Sequence, residues 1–144
     1  MTSRVITFGT FDIFHIGHHN ILERARALGG HLTVGISSDD LNRQKKGRTP
    51  FFPLRERMQI IAGLKCVDAV FVEHSLDRKR EYLVAYRAQV LVMGDDWKGR
   101  FDEYSDICDV RYLPRTDGIS TTDLIERIND TMLSNLADQR TTIG

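Results

Sequence analysis

Residues 9–18 of the chain read GTFDIFHIGH, and this stretch joins a predicted strand to a predicted helix. The run Val5–Gly9 is short and β-rich, which is typical of a buried strand. After the stretch, apolar residues recur at helical spacing until Gly29 and Gly30 end the pattern: Ile21, Leu22, Ala25 and Leu28. A strand that passes through a glycine-containing turn into a helix is the first unit of an α/β fold.

The same alternation of strand and helix signals continues along the chain. Further strands are predicted at Leu32–Ser37, Val67–Val72, Val90–Met93 and Val110–Leu113, and further helices at Leu54–Gly63, Arg78–Ala88 and Leu124–Leu136. Residues 38–53 are polar and basic and are predicted to form a long loop. We therefore interpret residues 1–144 as one α/β domain with a parallel sheet covered on both faces. Residues 129–144 would be the end of the last helix and a polar, frayed tail after Ala137.

Composition excludes several classes of protein. The 144 residues carry 20 Lys+Arg and 20 Asp+Glu, so the chain is not a uniformly basic nucleic-acid binder. No apolar run approaches the roughly 20 residues of a membrane span, and the first residues lack the apolar core of a signal segment, so we expect a cytoplasmic protein. Cys66 and Cys108 have no partners at metal-binding spacing and are expected to be reduced thiols.

Ligands of open parallel sheets bind beyond the carboxyl ends of the strands. Three segments follow predicted strands and should meet there: Thr10–His18, Asp95–Gly99 and Arg115–Thr122. In the first, His15 and His18 lie on one face at a helix start, where free amides and the helix dipole favour anions. The pair indicates a phosphate clamp. Half-buried structural histidines or metal ligands are the alternatives, but no third ligand stands at a suitable spacing.

Two further segments carry polar side chains suited to phosphates. Residues 115–122, RTDGISTT, lead into the last helix and offer a cation, a glycine and several hydroxyls. Ser120 and Asp123 have capping-box spacing, and a capped helix start beside Arg115 is also a phosphate site. Residues 43–48, RQKKGR, form a cationic cluster that is suited to close over a triphosphate, although such clusters are usually solvated surface.

Together these residues resemble the HxGH nucleotidyltransferase superfamily and, within it, the cytidylyltransferases. Residues 15–18 match the HxGH signature, residues 9–12 match the GTFD that precedes it, and residues 115–122 match RTxGISTT. The similarity runs from about Val5 to about Ile128, and the two signatures at this separation are highly specific.

Residues 94–97, GDDW, with Gly99 and Phe101, look like the glycerol-3-phosphate cytidylyltransferases in particular. This resemblance implies a Rossmann-like, three-layer α/β/α fold with a five-stranded parallel sheet. It also implies transfer of CMP from CTP to sn-glycerol 3-phosphate with Mg²⁺, giving CDP-glycerol and pyrophosphate, and a homodimer without nucleic-acid partners or membrane insertion. In that family the product feeds glycerol-phosphate polymers such as teichoic acids.

The resemblance also implies roles for individual residues. His15, His18, Lys45 and Arg115 would stabilise charge during the transfer. The nucleotide would contact these residues and the others that match the motifs: Thr10, Phe11, Asp96, Thr116, Gly118, Ile119, Ser120, Thr121 and Thr122. Mg²⁺ would be held mainly by the CTP phosphates, and Asp12 would orient the first loop or, as the weaker candidate, touch the metal.

For the acceptor phosphate, the resemblance implies Lys79, Lys65 and Lys46. Lys65 stands where the relatives carry an arginine, and a lysine replaces the charge but not a bidentate grip. Two alternatives stay open at this point. One is a sister nucleotidyltransferase that acts on ethanolamine phosphate, a heptose phosphate or FMN, and the other is a nucleotide-binding module without catalysis.

Overall fold

The computed structural model of the chain describes residues 2–143, with the side chains of residues 2–139. The strands are β1 (Ser3–Gly9), β2 (Gly30–Ser37), β3 (Ala69–Glu73), β4 (Val90–Gly94) and β5 (Asp109–Leu113). The helices are α1 (Ile16–Ala27), α2 (Asp39–Lys46), α3 (Leu54–Ala62), α4 (Lys79–Ala85) and α5 (Thr121–Ile143). Short 3₁₀ turns lie at Leu76–Arg78, Asp95–Trp97 and Asp102–Asp106.

The strands form one sheet of five parallel strands in the order β3-β2-β1-β4-β5. Gly9 pairs with Ile36, and Ser37 pairs with Glu73, so the carboxyl ends of β1, β2 and β3 lie side by side. The predicted parallel sheet is confirmed. The chain order reverses at β1 and β4, which is where open sheets of this kind bind ligands.

Alternate residues of the central strand pack on opposite faces of the sheet, as the twofold period of a strand requires. Val5 belongs to a buried cluster with Leu22 of α1 and Ile61 of α3. Ile6 belongs to a second cluster with Leu83 of α4. Helices therefore cover both faces of the sheet, and the predicted three-layer arrangement is confirmed. Each cluster also holds one buried free cysteine, as expected from the sequence: Cys66 in the first and Cys108 in the second.

Two predicted boundaries were wrong. The expected loop of residues 38–53 contains α2, because Ser38 Oγ accepts a hydrogen bond from the Leu41 amide at its start and Gly47 ends it with φ +71°. Leu41 and Asn42 are buried, so this short polar helix is held by packing and not by its composition. At the other end of the chain α5 continues to Ile143, past the tail expected after Ala137.

Among residues 2–143, no helix is both long enough and apolar enough to cross a bilayer.

Candidate active site

A pocket of about 440 Å³ lies beyond the carboxyl ends of β1 and β4. Its lining comes mainly from the three segments that the sequence predicted to converge, and the lining residues lie within 7–21, 93–97 and 114–122. Asn42 and Lys46 of α2 and Arg48, which follows it, complete the lining. Of the residues predicted to bind the nucleotide, Lys45 and Gly118 do not line the pocket, and the others do.

His15 and His18 shape the start of α1 on one side of the pocket. The Gly17 amide donates to His15 Nδ1 at 3.0 Å, and the His15 amide donates to His18 Nδ1 at 3.3 Å. These bonds form a reciprocal cap in which imidazole nitrogens replace the usual hydroxyl and carboxylate acceptors. The two rings stack with their centroids 3.7 Å apart. A Cβ at position 17 would lie 2.8 Å from the His15 ring, so the glycine makes room for a histidine side chain.

Both imidazoles are held in the neutral form. Burial, next to the Phe11 and Phe14 rings, and the nearby His15, Lys46 and Arg115 lower the pKa of His18 to about 3. Burial and Arg115 also lower the pKa of His15. In a neutral ring whose Nδ1 accepts a hydrogen bond, Nε2 carries the proton. Each histidine therefore keeps an Nε2–H donor for an anion in the pocket.

The loop between β1 and α1 holds its shape through Asp12. The Asp12 carboxylate accepts from the amides of Phe51 at 2.6 Å, Phe52 at 3.0 Å and Ile13 at 3.1 Å. This is the loop-orienting role that the sequence suggested. Phe11 and Ile13 have φ angles of 54° and 48°, a backbone region that such residues rarely adopt without external restraint.

The two carboxylates that line the pocket, those of Asp12 and Asp96, both have partners within the protein. Both oxygens of Asp12 are taken by amides, and Asp96 pairs with Arg115 at 3.0 Å. Within the described part of the chain, no three His, Cys, Asp or Glu side chains come together as a ligand set.

The start of α5 closes the opposite side of the pocket. Thr121 Oγ1 donates to the Asp12 carbonyl at 2.9 Å, so this helix start is attached to the β1–α1 loop. Ser120 Oγ accepts from the Asp123 amide at 3.1 Å, which is the cap expected from the sequence. Gly118, with φ +79°, turns the chain into this helix. The cap and the phosphate-site interpretation are both compatible with these contacts.

Asn42 connects the β1–α1 loop to the basic segment. Thr10 Oγ1 donates to Asn42 Oδ1 at 2.8 Å, and Asn42 Nδ2 donates to the Arg48 carbonyl at 2.9 Å. Lys46 and Arg48 line the pocket, and Arg48 also reaches Thr122 Oγ1 at 3.4 Å. The basic segment thus borders the pocket in this structure.

Lys45 and Lys79 lie together at the ends of β2 and β3. Lys45 Nζ donates to Ser37 Oγ at 2.7 Å, and Lys79 Nζ donates to Glu73 Oε2 at 2.6 Å. Lys79 is only 1% exposed, and its Nζ lies 3.6 Å from the centre of the Phe8 ring. The two predicted cations therefore belong to one cluster in which Lys79 is buried and Lys45 is half-buried, and neither lines the pocket.

The structure does not bring Lys65 to this site. Lys65 is exposed and follows α3, which runs back across the sheet and ends at its amino edge. Asp68, shortly after it, accepts from the Leu32 amide near the start of β2. Within one chain, Lys65 therefore lies too far from the pocket for the acceptor-binding role that the resemblance implied.

Sequence inspection missed Arg57, whose side chain is 1% exposed. Its guanidinium donates to the carbonyls of Thr10 at 2.8 Å, Ser37 at 2.9 Å and Phe52 at 3.0 Å, and to Asp39 at 2.6 Å. It joins the first site loop to the start of α2. The available signal was a lone arginine between Leu54, Met58 and Ile61 on the apolar face of a helix.

The starts of α1 and α5 face the switch point of this parallel sheet, where Rossmann-like domains bind nucleotides, and the comparisons with known proteins identify the class as a nucleotidyltransferase. The chain belongs to the cytidylyltransferase-like family, whose model matches residues 6–127. It is 45% identical to the glycerol-3-phosphate cytidylyltransferase of Bacillus subtilis (strain 168), over 87% of this chain and 96% of that protein. It is 39% identical to the enzyme of the same name from Staphylococcus aureus (strain NCTC 8325 / PS 47), over 87% and 94%.

More distant similarities agree on the fold. The bifunctional protein HldE of Syntrophotalea carbinolica is 37% identical over 88% of this chain, which spans 27% of that longer protein. The solved lipopolysaccharide core biosynthesis protein from Thermoplasma volcanium GSS1 superposes with a TM-score of 0.73 at 27% identity, covering 81% of this chain and 100% of that one. A putative nicotinate-nucleotide adenylyltransferase from Vibrio parahaemolyticus, covering 91% of this chain and 89% of that one, has a TM-score of 0.56 at 13% identity and shares the fold.

Proposed function

We propose that this chain is a glycerol-3-phosphate cytidylyltransferase, which transfers CMP from CTP to sn-glycerol 3-phosphate and releases CDP-glycerol and pyrophosphate. The observation that carries the proposal is the convergence of two helix starts, those of α1 and α5, on one pocket bordered by Lys46, Arg48 and Arg115. Free helix amides and cations together suit a triphosphate. Similarity to enzymes of that name over nearly their whole length supports these substrates.

The reaction needs positioning and charge stabilisation and no protein nucleophile. A phosphate oxygen of glycerol 3-phosphate attacks the α-phosphorus of CTP, and the bond to the pyrophosphate oxygen breaks in line with it. The Nε2–H groups of His15 and His18 would donate to phosphate oxygens as negative charge builds. Arg115 and the helix start at residues 120–122 would hold the β- and γ-phosphates. Asp96 would then exchange its bond to Arg115 for the ribose hydroxyls.

The acceptor phosphate would bind at the Lys79 end of the site. Lys79 is fully paired with Glu73 in the free chain, so acceptor binding requires this pair to rearrange. Lys45, which lies next to the pair, would neutralise the α-phosphate where the two substrates meet. Lys46, which lines the pocket, would face the triphosphate more than the acceptor that the resemblance assigned to it.

Mg²⁺ would enter as the complex with CTP. The described side chains offer no ligand set for it, whereas phosphate oxygens are ligands that it prefers. Removal of Mg²⁺ with EDTA should abolish turnover, and excess Mg²⁺ should restore it. Full turnover in EDTA would contradict this part of the proposal.

We further propose a cytoplasmic homodimer whose product supplies glycerol-phosphate polymers such as teichoic acids. Several apolar side chains of α5 are exposed in the single chain, which supports self-association: Ile128, Met132, Leu133 and Leu136. Light scattering on the purified protein should give twice the 16.5 kDa mass of one chain. A monomer mass at micromolar concentration would contradict the dimer.

The test of the main proposal is pyrophosphate release with each of CTP, UTP, ATP and GTP, paired in turn with several phospho-acceptors. We expect CTP to exceed UTP by at least about 10²-fold in kcat/KM, because a pocket that hydrogen-bonds cytosine leaves polar groups unpaired with uracil. We expect glycerol 3-phosphate to exceed ethanolamine phosphate. A heptose phosphate, one of the alternative acceptors left open by the sequence, is the second acceptor to compare. Faster pyrophosphate release with ATP than with CTP would overturn the assignment of CTP as the nucleotide substrate. Faster release with another acceptor would overturn the assignment of glycerol 3-phosphate.

A further inference from the structure

Glu73 is a buried carboxylate at the carboxyl end of β3 that does not line the pocket. It is 1% exposed, and both of its oxygens have partners. Oε2 accepts from Lys79 Nζ at 2.6 Å, and Oε1 accepts from Ser37 Oγ at 3.4 Å. The sheet pairs Ser37 with Glu73 on neighbouring strands, so a rigid part of the fold sets this geometry.

The Ser37 hydroxyl connects Glu73 to Lys45 by hydrogen bonds. Lys45 Nζ donates to Ser37 Oγ at 2.7 Å, and Ser37 is fully buried. A hydroxyl that donates to a carboxylate presents its lone pairs to an ammonium donor. The result is a continuous chain of contacts from Lys45 through Ser37 and Glu73 to Lys79.

The charges around Lys45 make this carboxylate necessary. Burial and three neighbouring cations, Lys79 on α4, Lys46 on α2 and Arg57 on α3, lower the pKa of Lys45 to about 8. Glu73 on β3 acts in the opposite direction and keeps that pKa from falling further. The pKa of an ammonium group beside other cations falls further when a stabilising anion is removed.

We propose that Glu73 is a positioning residue for the transfer reaction, and that it holds the Lys45 ammonium group at the side of the pocket through the Ser37 hydroxyl. The role of Lys45 on the α-phosphate rests on the proposed function, but the hold of Glu73 on Lys45 does not. Glu73 touches neither substrate in this arrangement. It acts because Lys45 must be charged and fixed in place to meet the developing charge.

The first test is Glu73→Gln, which keeps the size of the side chain and removes its charge. Turnover of the wild type should fall as pH rises through about 8, where Lys45 loses its proton. In Glu73→Gln, the alkaline decline should begin at least about one pH unit lower, and the lost charge on Lys45 should lower kcat at pH 7 at least about twofold. A carboxylate that served only to pair with Lys79 would lower thermal stability and leave the position of this decline unchanged.

Lys45→Arg links the effect to Lys45, because a guanidinium does not lose its proton in this range. The alkaline decline should be absent both in Lys45→Arg and in the double variant Glu73→Gln/Lys45→Arg. If Glu73→Gln still shifts the pH profile in the Lys45→Arg background, the proposal is overturned.

Ser37→Ala tests the connection if Glu73→Gln does not fold. It removes the relay hydroxyl and leaves the pair of Glu73 and Lys79 in place. We expect kcat to fall about fivefold or more with a smaller change in the acceptor KM. Thr33→Val is the matched control, since it removes another buried hydroxyl of β2 at a position that does not line the pocket. Equal effects of the two substitutions would overturn the proposal.

A readout without substrates separates this proposal from the proposed function. In ¹³C-lysine-labelled protein, the Lys45 signal is assigned by its loss in Lys45→Arg. It should titrate near pH 8 in the wild type and at least about one unit lower in Glu73→Gln. If this shift occurs while the wild type releases no pyrophosphate, the proposed function fails and the hold of Glu73 on Lys45 stands. An unshifted titration overturns the hold itself.

Discussion

The Nδ1 atom of His18 accepts a hydrogen bond from the backbone amide of His15, so the second histidine of the pair holds the first at the start of α1. The Gly17 amide in turn donates to His15 Nδ1. Each ring therefore uses one nitrogen to build the helix start and keeps the other for the pocket. This division leaves each neutral imidazole with an N–H group available to the pocket.

Replacing His18 by alanine should lower kcat by about 10²–10³-fold, the usual loss for one preorganised donor to a developing charge. The KM for CTP should change far less. His19→Ala is the matched control, because His19 pairs with Glu23 on the same helix and does not line the pocket. Steady-state pyrophosphate release measures both variants. A His18→Ala enzyme that retains more than about half its turnover would exclude this role.

Acid should destabilise the fold through His18. In the unfolded chain a histidine takes up a proton near pH 6.5, whereas folded His18 does so only near pH 3. The unfolded state binds more protons between these values, so this contribution is complete above pH 6.5 and is lost as pH falls. Between pH 6.5 and 5.5 the free energy of unfolding should drop by about 1 kcal/mol more in the wild type than in His18→Gln. Urea unfolding at each pH measures this, and parallel curves would contradict it.

Arg57→Lys should lower the free energy of unfolding by about 3 kcal/mol or more. A lysine cannot reach three carbonyls and a carboxylate at once, and the groups left behind are buried without partners. Arg55→Lys on the exposed face of the same helix is the control and should change little. Chemical denaturation gives both values. Equal stability of the two variants would mean that the Arg57 contacts contribute nothing.

Lys45→Met and Lys79→Met should affect different kinetic constants. Lys45→Met should reduce kcat more than it raises the acceptor KM, since its charge is assigned to the α-phosphate. Lys79→Met should mainly raise the KM for glycerol 3-phosphate. Initial rates with each substrate varied in turn measure both, and each variant is the control for the other. Equal changes in both constants would show that the two cations are misassigned.

Local pattern was sufficient for much of this protein. The twofold period of Val5 and Ile6 and the helical period of Leu22 and Ala25 placed β1 and α1, because each element must bury one set of side chains. The pocket segments followed from the same logic, since the carboxyl ends of parallel strands share an edge. The paired histidines were recognisable because two imidazoles three residues apart at a helix start share one face of the helix.

The directions of single long side chains were not predictable in this way. Lys45 and Lys46 are neighbours in the chain, yet one turns to Ser37 and the other lines the pocket. The Ser37 hydroxyl that accepts from Lys45 donates in turn to Glu73, which lies on the adjacent strand and is distant in the sequence. In the same way, Lys65 ends at the far edge of the sheet because α3 runs against the strands.

The periodic pattern of apolar residues along the chain thus determined the class of fold and the location of the site. The tertiary structure decided which cations line the pocket, which carboxylate pairs with Lys79, and which arginine joins the loops. The physical reason is that burying a charged group is tolerable only where partners satisfy it, and the partners of Arg57 and Lys79 come from separate strands and loops. Sequence periodicity carries no information about contacts of that kind, and folding creates them.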